Sequence, residues 1–439
     1  APVLLDTIGD RLKFDVRRYF DFASFDLMES EARFGPGWTF EGLTAQAQLG
    51  GIKAYGVSMD RGKAAVEFDG RRFHASEAFA TMGENFARGS FTQDLQTREF
   101  RFLLEGRLRP MDISPWFRAW WGNFFRQFEF PATPPIANVD VGGFWREGWR
   151  TRVFVFAQAP QAVIRGGAFD DVRTRLFIRP GFFDGLEVFG TQQSREVRGT
   201  FTFINNPATR AWRSLDLSLV SNVGLGLAGQ VIGPAAQKLL APFELANPPE
   251  LRVNATFHGP DSPAGRHHRV ALTARTAGNF QFHHFPLSDV SFTAQINDGE
   301  IMLDDFAARL ADGTATGRAR VWDHEANRRL GFDVNLKDAG LGSLAAGLEQ
   351  FFSIRQGREP APPGKYVREK ASVRVDIAAS AEGSYTDPLS FQGSGHALLQ
   401  GEEIGEVTLL GALSELLRFT ALRLTSARAN FRIDRAKLA

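Results

Sequence analysis

The stretch Phe100-Arg101-Phe102-Leu103-Leu104-Glu105-Gly106-Arg107-Leu108 carries the pattern from which the fold can be predicted. Side chains of a β-strand alternate between two faces, with a period of two residues. One face of this stretch then holds Phe100, Phe102, Leu104 and Leu108, and the other holds Arg101, Leu103, Glu105 and Arg107. One apolar and one charged face are typical of an antiparallel sheet that is wet on a single side.

The same alternation recurs along the chain. Val172, Leu176 and Ile178 oppose Arg173, Arg175 and Arg179, and the residues Val290, Phe292, Ala294 and Ile296 share one face. We therefore predict an all-β fold with short helices. The pattern favours an extended, twisted antiparallel sheet curled into a U-shaped groove and built of tandem units of about 114 residues.

The unit length comes from a repeated Pro-Pro pair at Pro134-Pro135, Pro248-Pro249 and Pro362-Pro363, with 248 − 134 = 114 and 362 − 248 = 114 residues between them. A strand-like segment follows each pair, which indicates that one structural unit has been copied. The predicted units are 1–133, 134–247, 248–361 and 362–439. The last has only 439 − 361 = 78 residues, so we expect it to be incomplete and the chain to be a piece of a longer protein.

Overlay of the second and third units predicts matching turns at Asp184-Gly185 and Asp298-Gly299. Asp-Gly pairs favour the tight turns of β-hairpins. Each unit is predicted to end in a short helix, over residues 225–240 in the second unit and 341–352 in the third.

Composition excludes several classes of function. The net charge of +1 gives no electrostatic basis for nucleic-acid binding, and the absence of cysteine excludes disulfides and thiolate metal sites. No run approaches the ~20 apolar residues of a membrane-spanning helix. The chain has 41 Phe but only 4 Tyr, a preference that favours dry apolar surface because Phe lacks the polar group of Tyr.

No residue set supports catalysis, a metal or a cofactor. The string Gly224-Leu-Gly-Leu-Ala-Gly229 has the spacing of a dinucleotide-binding turn, but Gly233-Pro234 interrupts the helix that should follow it. The pairs His267-His268 and His283-His284 each present one ring to each side of a strand. We therefore predict a protein that is not an enzyme.

The last unit carries a family resemblance. A Gly-rich strand, Phe391–Gly401, precedes the helix-like segment Ile404–Leu417 and the strand Leu422–Asp434. In this order the segments resemble the AsmA-like C-terminal region, part of the repeating β-groove (AsmA/TamB-like) superfamily of bacterial envelope proteins. The resemblance implies an apolar trough in the periplasm that takes part in outer-membrane biogenesis by carrying phospholipids. It also implies an inner-membrane anchor in a segment not present here.

From this we expect lipid transport without catalysis, with phospholipid or another acyl-chain lipid as partner and no nucleic acid. Bacterial membranes would be contacted through parts outside this segment, and envelope proteins are possible partners at the groove ends. The residues predicted to line the groove are Phe100, Phe102, Leu104, Leu176, Ile178, Phe201, Phe203, Val290, Phe292, Ile301 and Leu303. The alternative is a structural or adhesive array of β-sandwich domains.

The segment Ser114–Phe128 is predicted to form an aromatic helix, with Ser114 as N-cap and Pro115 at the first helical position. One half of its surface would hold Trp116, Phe117, Trp120, Trp121, Phe124, Phe125 and Phe128. Two interpretations remain open. The helix either packs on the sheet as a groove plug or lies in a membrane interface.

Overall fold

The computed structural model describes residues 20–116, 119–209, 211–265, 267–282, 284–323, 327–355, 357–359, 372–385, 390–401 and 425–434, with residues 6, 10, 17, 18, 387, 437 and 438. The chain divides into two compact units. We call Ala1–Leu215 with Gly259–Pro263 the N-terminal unit, and Asp216–His258 with Ala264–Ala439 the C-terminal unit.

The N-terminal unit is dominated by antiparallel strands. Its strands are β1 (Phe20–Asp21), β2 (Ser24–Phe34), β3 (Phe40–Ala54), β4 (Val57–Phe68), β5 (Arg72–Met82), β6 (Asn85–Asp94), β7 (Glu99–Arg107), β8 (Phe128–Glu129), β9 (Ile136–Phe144), β10 (Arg152–Pro160), β11 (Val163–Ile164), β12 (Gly167–Ala168), β13 (Asp171–Arg179), β14 (Phe182–Gln192) and β15 (Arg195–Asn205). Pairing runs in order from β2 to β7 and continues through β9, β10, β13 and β14 to β15. Strands β8, β11 and β12 form a separate small sheet.

The C-terminal unit repeats this plan. Its strands are β17 (Phe243–Leu245), β18 (Glu250–His258), β19 (His268–Arg275), β20 (Asn279–Phe282), β21 (Phe285–Asn297), β22 (Glu300–Leu310), β23 (Gly313–Trp322), β24 (Arg329–Gly340), β25 (Arg374–Ser384), β26 (Gln392–Gln400), β27 (Ser426–Asp434) and β28 (Lys437–Leu438), while β16 (Trp212–Ser221) has residues in both units. Antiparallel pairing runs from β18 through β19 and β21 to β28. The predicted all-β class with short helices is confirmed, and the strands form a large antiparallel sheet.

Short helices interrupt the strands. They are α1 (Ala119–Phe125), α2 (Leu225–Ile232), α3 (Pro234–Leu240) and α4 (Leu341–Arg355). The predicted helix 225–240 is two helices, because Gly233 adopts φ 116° and Pro234 starts a new helix. The predicted helix 341–352 is confirmed and extends to Arg355.

One of the two predicted Asp-Gly turns is confirmed. Asp298 and Gly299 have φ of 50° and 91° and join β21 to β22. The prediction for Asp184-Gly185 is wrong, since both residues lie inside β14. The turn before β14 includes Gly181 instead, at φ 79°, because the rigid ring of Pro180 and the left-handed Gly181 already reverse the chain.

Candidate functional site

The apolar face of the N-terminal unit consists of rows of side chains that run across the strands. Directly paired residues of neighbouring antiparallel strands point to the same face. One such row is Phe91, Phe102, Val141, Val153, Ile178, Phe183 and Phe203, taken from β6 to β15. The adjacent row is Gly89, Leu104, Val139, Val155, Leu176, Gly185 and Phe201. The predicted lining residues of this unit therefore share one face, with Phe100 in the next row along β7.

Phenyl rings make extended contacts within this face. The rings of Phe91 and Phe102 are stacked with centroids 4.3 Å apart, and Phe100 lies 5.7 Å from Phe102. Further along, the rings of Phe183 and Phe201 are stacked at 5.5 Å. Gly185 lies under the ring of Phe201, and a Cβ added there would overlap the ring unless the ring moved. The glycine that the sequence indicated as a turn therefore allows a ring to lie flat on the strand.

The C-terminal unit carries an equivalent apolar face. One row runs from β18 to β27 through Val253, Leu272, Ala294, Leu303, Ala319, Phe332, Ala381, Gly393 and Ile433. The neighbouring row contains Ile296, Ile301 and Val321. Val290 and Phe292 precede Ala294 on alternate positions of β21, so the predicted lining residues of this unit also share a face.

Much of this apolar surface is not covered. Among the described residues, the buried phenylalanines are Phe22, Phe100, Phe169 and Phe280, out of 41 Phe in the chain. The largest described side chains with almost no exposure are valines, Val57, Val290 and Val373. A conventional core would bury its rings, because they contribute most to hydrophobic stabilisation. Here the rings lie on a face that remains partly open to solvent.

Helix α4 covers one part of the face in the C-terminal unit. Leu344 is buried in a cluster with Ala315, Leu336, Ala339 and Val375, which belong to β23, β24 and β25. At the far end of the helix, the ring of Phe351 meets Phe285 edge-on at 5.4 Å. The helix therefore occupies apolar surface that a ligand would otherwise contact.

The aromatic segment of the N-terminal unit covers the face in a comparable way. The indole N–H of Trp116 donates to the carbonyl oxygen of Ala54 at 2.8 Å, and Ser114–Trp116 form a single 3-10 turn. The ring of Phe124, in α1, meets Phe183 of the apolar face at 6.1 Å. Phe125 and Phe128 lie 6.0 Å and 5.1 Å from the Phe124 ring.

The predicted helical end at Phe128 is wrong. Helix α1 ends at Phe125, and Phe128 begins β8, which pairs with β11. Pairing with β11 satisfies the backbone N–H and C=O groups that a further helical turn would have bonded internally. Phe117 lies outside the described residues, as do the side chains of Trp120 and Trp121. The Phe124 contact is what the packing interpretation expects, and the membrane interpretation stays a prediction.

The opposite face carries cross-strand ion pairs. Arg88 and Glu105 pair at 2.8 Å, and Arg101 donates two hydrogen bonds to Asp140, at 3.0 and 2.7 Å. The hydrogen bond from Arg101 lowers the pKa of the Asp140 carboxyl. In the C-terminal unit, Asp333 has a lowered pKa because Ser380 and Arg318 donate to it. These pairs place charged side chains on one face, opposite the apolar rows of the other.

An open pocket of about 950 Å³ lies along β4 to β14 in the N-terminal unit. Most of its lining comes from two rows of the charged face. The first row is Lys63, Phe79, Arg88, Glu105, Asn138, Phe156 and Arg175. The second row is Ser90, Leu103, Asp140 and Phe154. The pocket is therefore centred on the charged face, but Gly89, Leu104, Val139, Val155 and Leu176 of the apolar face also line it, and two of these, Leu104 and Leu176, are predicted lipid-lining residues. Sequence reasoning missed this pocket. The sequence signal that could have predicted it is Phe154 and Phe156, two apolar residues at strand positions that pair with charged or polar residues of neighbouring strands.

Other site classes find no support in the described part of the chain. There, no group of three or more His, Asp or Glu side chains is placed to hold a metal ion, and no helix is long and apolar enough to cross a membrane. The helix-like segment Ile404–Leu417 of the family resemblance lies outside the described residues, whereas its flanking strands are β26 and β27. His283 is likewise outside the described residues.

Comparison of the chain with protein-family models, with curated proteins and with solved structures gives no match.

Proposed function

We propose that this protein binds phospholipids, or other acyl-chain lipids, along its apolar face and carries them without catalysis. The observation that carries the proposal is the row from Phe91 to Phe203, in which every side chain is apolar and most remain partly exposed. Hydrocarbon ligands are the molecules that gain most from such a surface.

The chemistry of the face favours low specificity. Complete burial of a methylene group contributes about 0.8 kcal/mol, so two acyl chains need only partial enclosure to offset the cost of binding. Headgroups would stay in water at the strand ends. Successive rows offer similar apolar contacts, so an acyl chain can shift from one row to the next without meeting a deep energy minimum.

The resemblance of residues 391–434 to the AsmA-like region suggests where in the cell this activity would take place. It suggests a U-shaped groove in the periplasm that serves outer-membrane biogenesis. The inner-membrane anchor and the contacts with envelope proteins would then be supplied by parts of the protein beyond this chain.

Two neighbouring leucines on β7 provide a matched test. Leu104 points to the apolar face and is 38% exposed, whereas Leu103 points to the charged face and is 41% exposed. We expect Leu104→Asp to reduce uptake of a fluorescent phospholipid by about tenfold, because a charge would then contact acyl chain. Leu103→Asp should retain uptake. Mass spectrometry of the purified wild-type protein should find co-purified phospholipid.

The outcome that refutes the proposal is a lipid-free preparation that also takes up no labelled phospholipid. Equal loss of uptake in both leucine variants would place the lipid in the pocket on the charged face instead. The alternative function, an array of β-sandwiches, needs a second sheet packed over each apolar face. In the described residues, helix α4 and the segment around Phe124 occupy parts of these faces.

A further inference from the structure

The tip of the β2–β3 hairpin presents a cluster of exposed aromatic rings. Phe34 ends β2, Phe40 begins β3, and Trp38 lies between them with 86% of its surface exposed. The Phe34 ring lies 6.0 Å from each of the other two rings. We call Phe34, Trp38 and Phe40 the aromatic tip.

Two hydrogen bonds close the turn that carries Trp38. The Gly35 N–H donates to the carbonyl oxygen of Thr39 at 2.8 Å, and the Thr39 hydroxyl donates to the Pro36 carbonyl oxygen at 3.1 Å. Trp38 itself adopts φ 61°, a left-handed conformation that is unfavourable for a residue with a Cβ. Almost none of the indole surface is buried in return. Tyr55 and other turn residues share a positive φ, so it is the exposure of its ring that sets Trp38 apart.

Adjacent loops support the tip without covering it. Phe40 contacts the ring of Phe68 at 5.7 Å, at the end of β4. The Leu95 N–H, in the β6–β7 loop, donates to the Arg71 carbonyl oxygen at 2.9 Å, and Leu95 is also exposed. Apolar side chains of two loops therefore project from the same edge of the N-terminal unit.

The charges around the tip nearly balance. The three loops at this edge, with the two strand residues on each side of every loop, hold the cations Arg33, Arg71, Arg72 and Arg98 and the anions Glu41, Glu67, Asp69, Asp94 and Glu99. Arg71 pairs with Asp94 at 2.8 Å, and Arg72 lies 3.8 Å from the same carboxylate. The tip therefore offers apolar rings without a large net charge, and a partner with strong charge of either sign gains little from it.

We propose that the aromatic tip inserts into the headgroup region of a zwitterionic phospholipid bilayer. Tryptophan is suited to this region because its ring is apolar and its N–H remains able to bond to polar groups. Phe34 and Phe40 supply hydrocarbon contact beside it. This nearly balanced charge fits headgroups that carry both signs, and it predicts binding that depends little on salt.

Trp38 and Tyr55 form a matched pair for the test. Both are exposed aromatic residues in turns, with 86% and 65% exposure and φ of 61° and 47°, and they flank opposite ends of β3. Glycine accepts both φ values, so Trp38→Gly and Tyr55→Gly remove a ring without strain. In co-sedimentation with phosphatidylcholine vesicles, we expect Trp38→Gly to weaken partitioning at least about tenfold. Tyr55→Gly should stay within about twofold, and 0.5 M salt (about a 4 Å Debye length) should change wild-type binding little.

Three results would overturn the proposal: no sedimentation of the wild type with these vesicles, wild-type binding by Trp38→Gly, or an equal loss in Tyr55→Gly. Lipid uptake separates this proposal from the transport function. Trp38→Gly should still take up dispersed fluorescent phospholipid, because its ring lies away from the rows that bind the acyl chains.

Discussion

Helix α4 gives the most direct test of how the apolar face is covered. Leu344 is 8% exposed and packs against Ala315, Leu336, Ala339 and Val375. Replacement of a buried leucine by alanine costs roughly 2–5 kcal/mol, and we take about 3 kcal/mol for Leu344→Ala because neighbouring Leu341 and Leu348 retain part of the contact.

This loss should act on docking of the helix more than on the sheet. If α4 opens as a local unit, a loss of about 3 kcal/mol increases the population of its open state, and its amide exchange rates, roughly 100-fold. Hydrogen–deuterium exchange measured by mass spectrometry on residues 341–355 reports this change. The exposed Glu349, on the same helix, provides the control variant Glu349→Ala, which should leave exchange unchanged.

A second readout links docking to ligand access. The surface uncovered by the open helix is the apolar face of β23 to β25, so uptake of a fluorescent lipid should rise in Leu344→Ala. The reasoning is refuted if exchange in 341–355 stays at the wild-type rate while the variant is folded. In that case the helix is held by contacts other than this cluster.

Two further predictions concern the N-terminal unit. Gly89→Val should destabilise the protein by about 2 kcal/mol or more in urea unfolding, because a Cβ at Gly89 would overlap the backbone oxygen of Leu103. The control is Gly83→Ala, which has open space around it and should show only the smaller cost of its left-handed φ. Asp94 has its pKa lowered to about 2, chiefly by the hydrogen bond from Arg71, so its contribution to stability is present above the unfolded pKa near 4 and is lost as the pH falls through 2. Asp94→Asn should therefore reduce the acid dependence of stability between pH 4 and pH 2 in thermal melts, and an unchanged dependence would contradict this assignment.

The sequence by itself determined the all-β class and, for the stretches with clear alternation, the side of the strand that is apolar. Alternation in Phe100–Leu108 placed Phe102 and Leu104 on one face because the two-residue period is a property of the extended backbone and needs no tertiary contact. The Asp298-Gly299 turn followed for the same reason, since both residues accept positive φ.

Only the tertiary structure decided how the strands align. The row from Phe91 to Phe203 depends on the register of every pair between β6 and β15, and a shift of one residue in any pair would break it. Local sequence does not show that Gly185 lies under the ring of Phe201, which is 16 residues away in the chain, or that pairing with β11 ends the predicted helix before Phe128. Those features come from contacts between distant segments, and such contacts form only when the whole sheet is assembled.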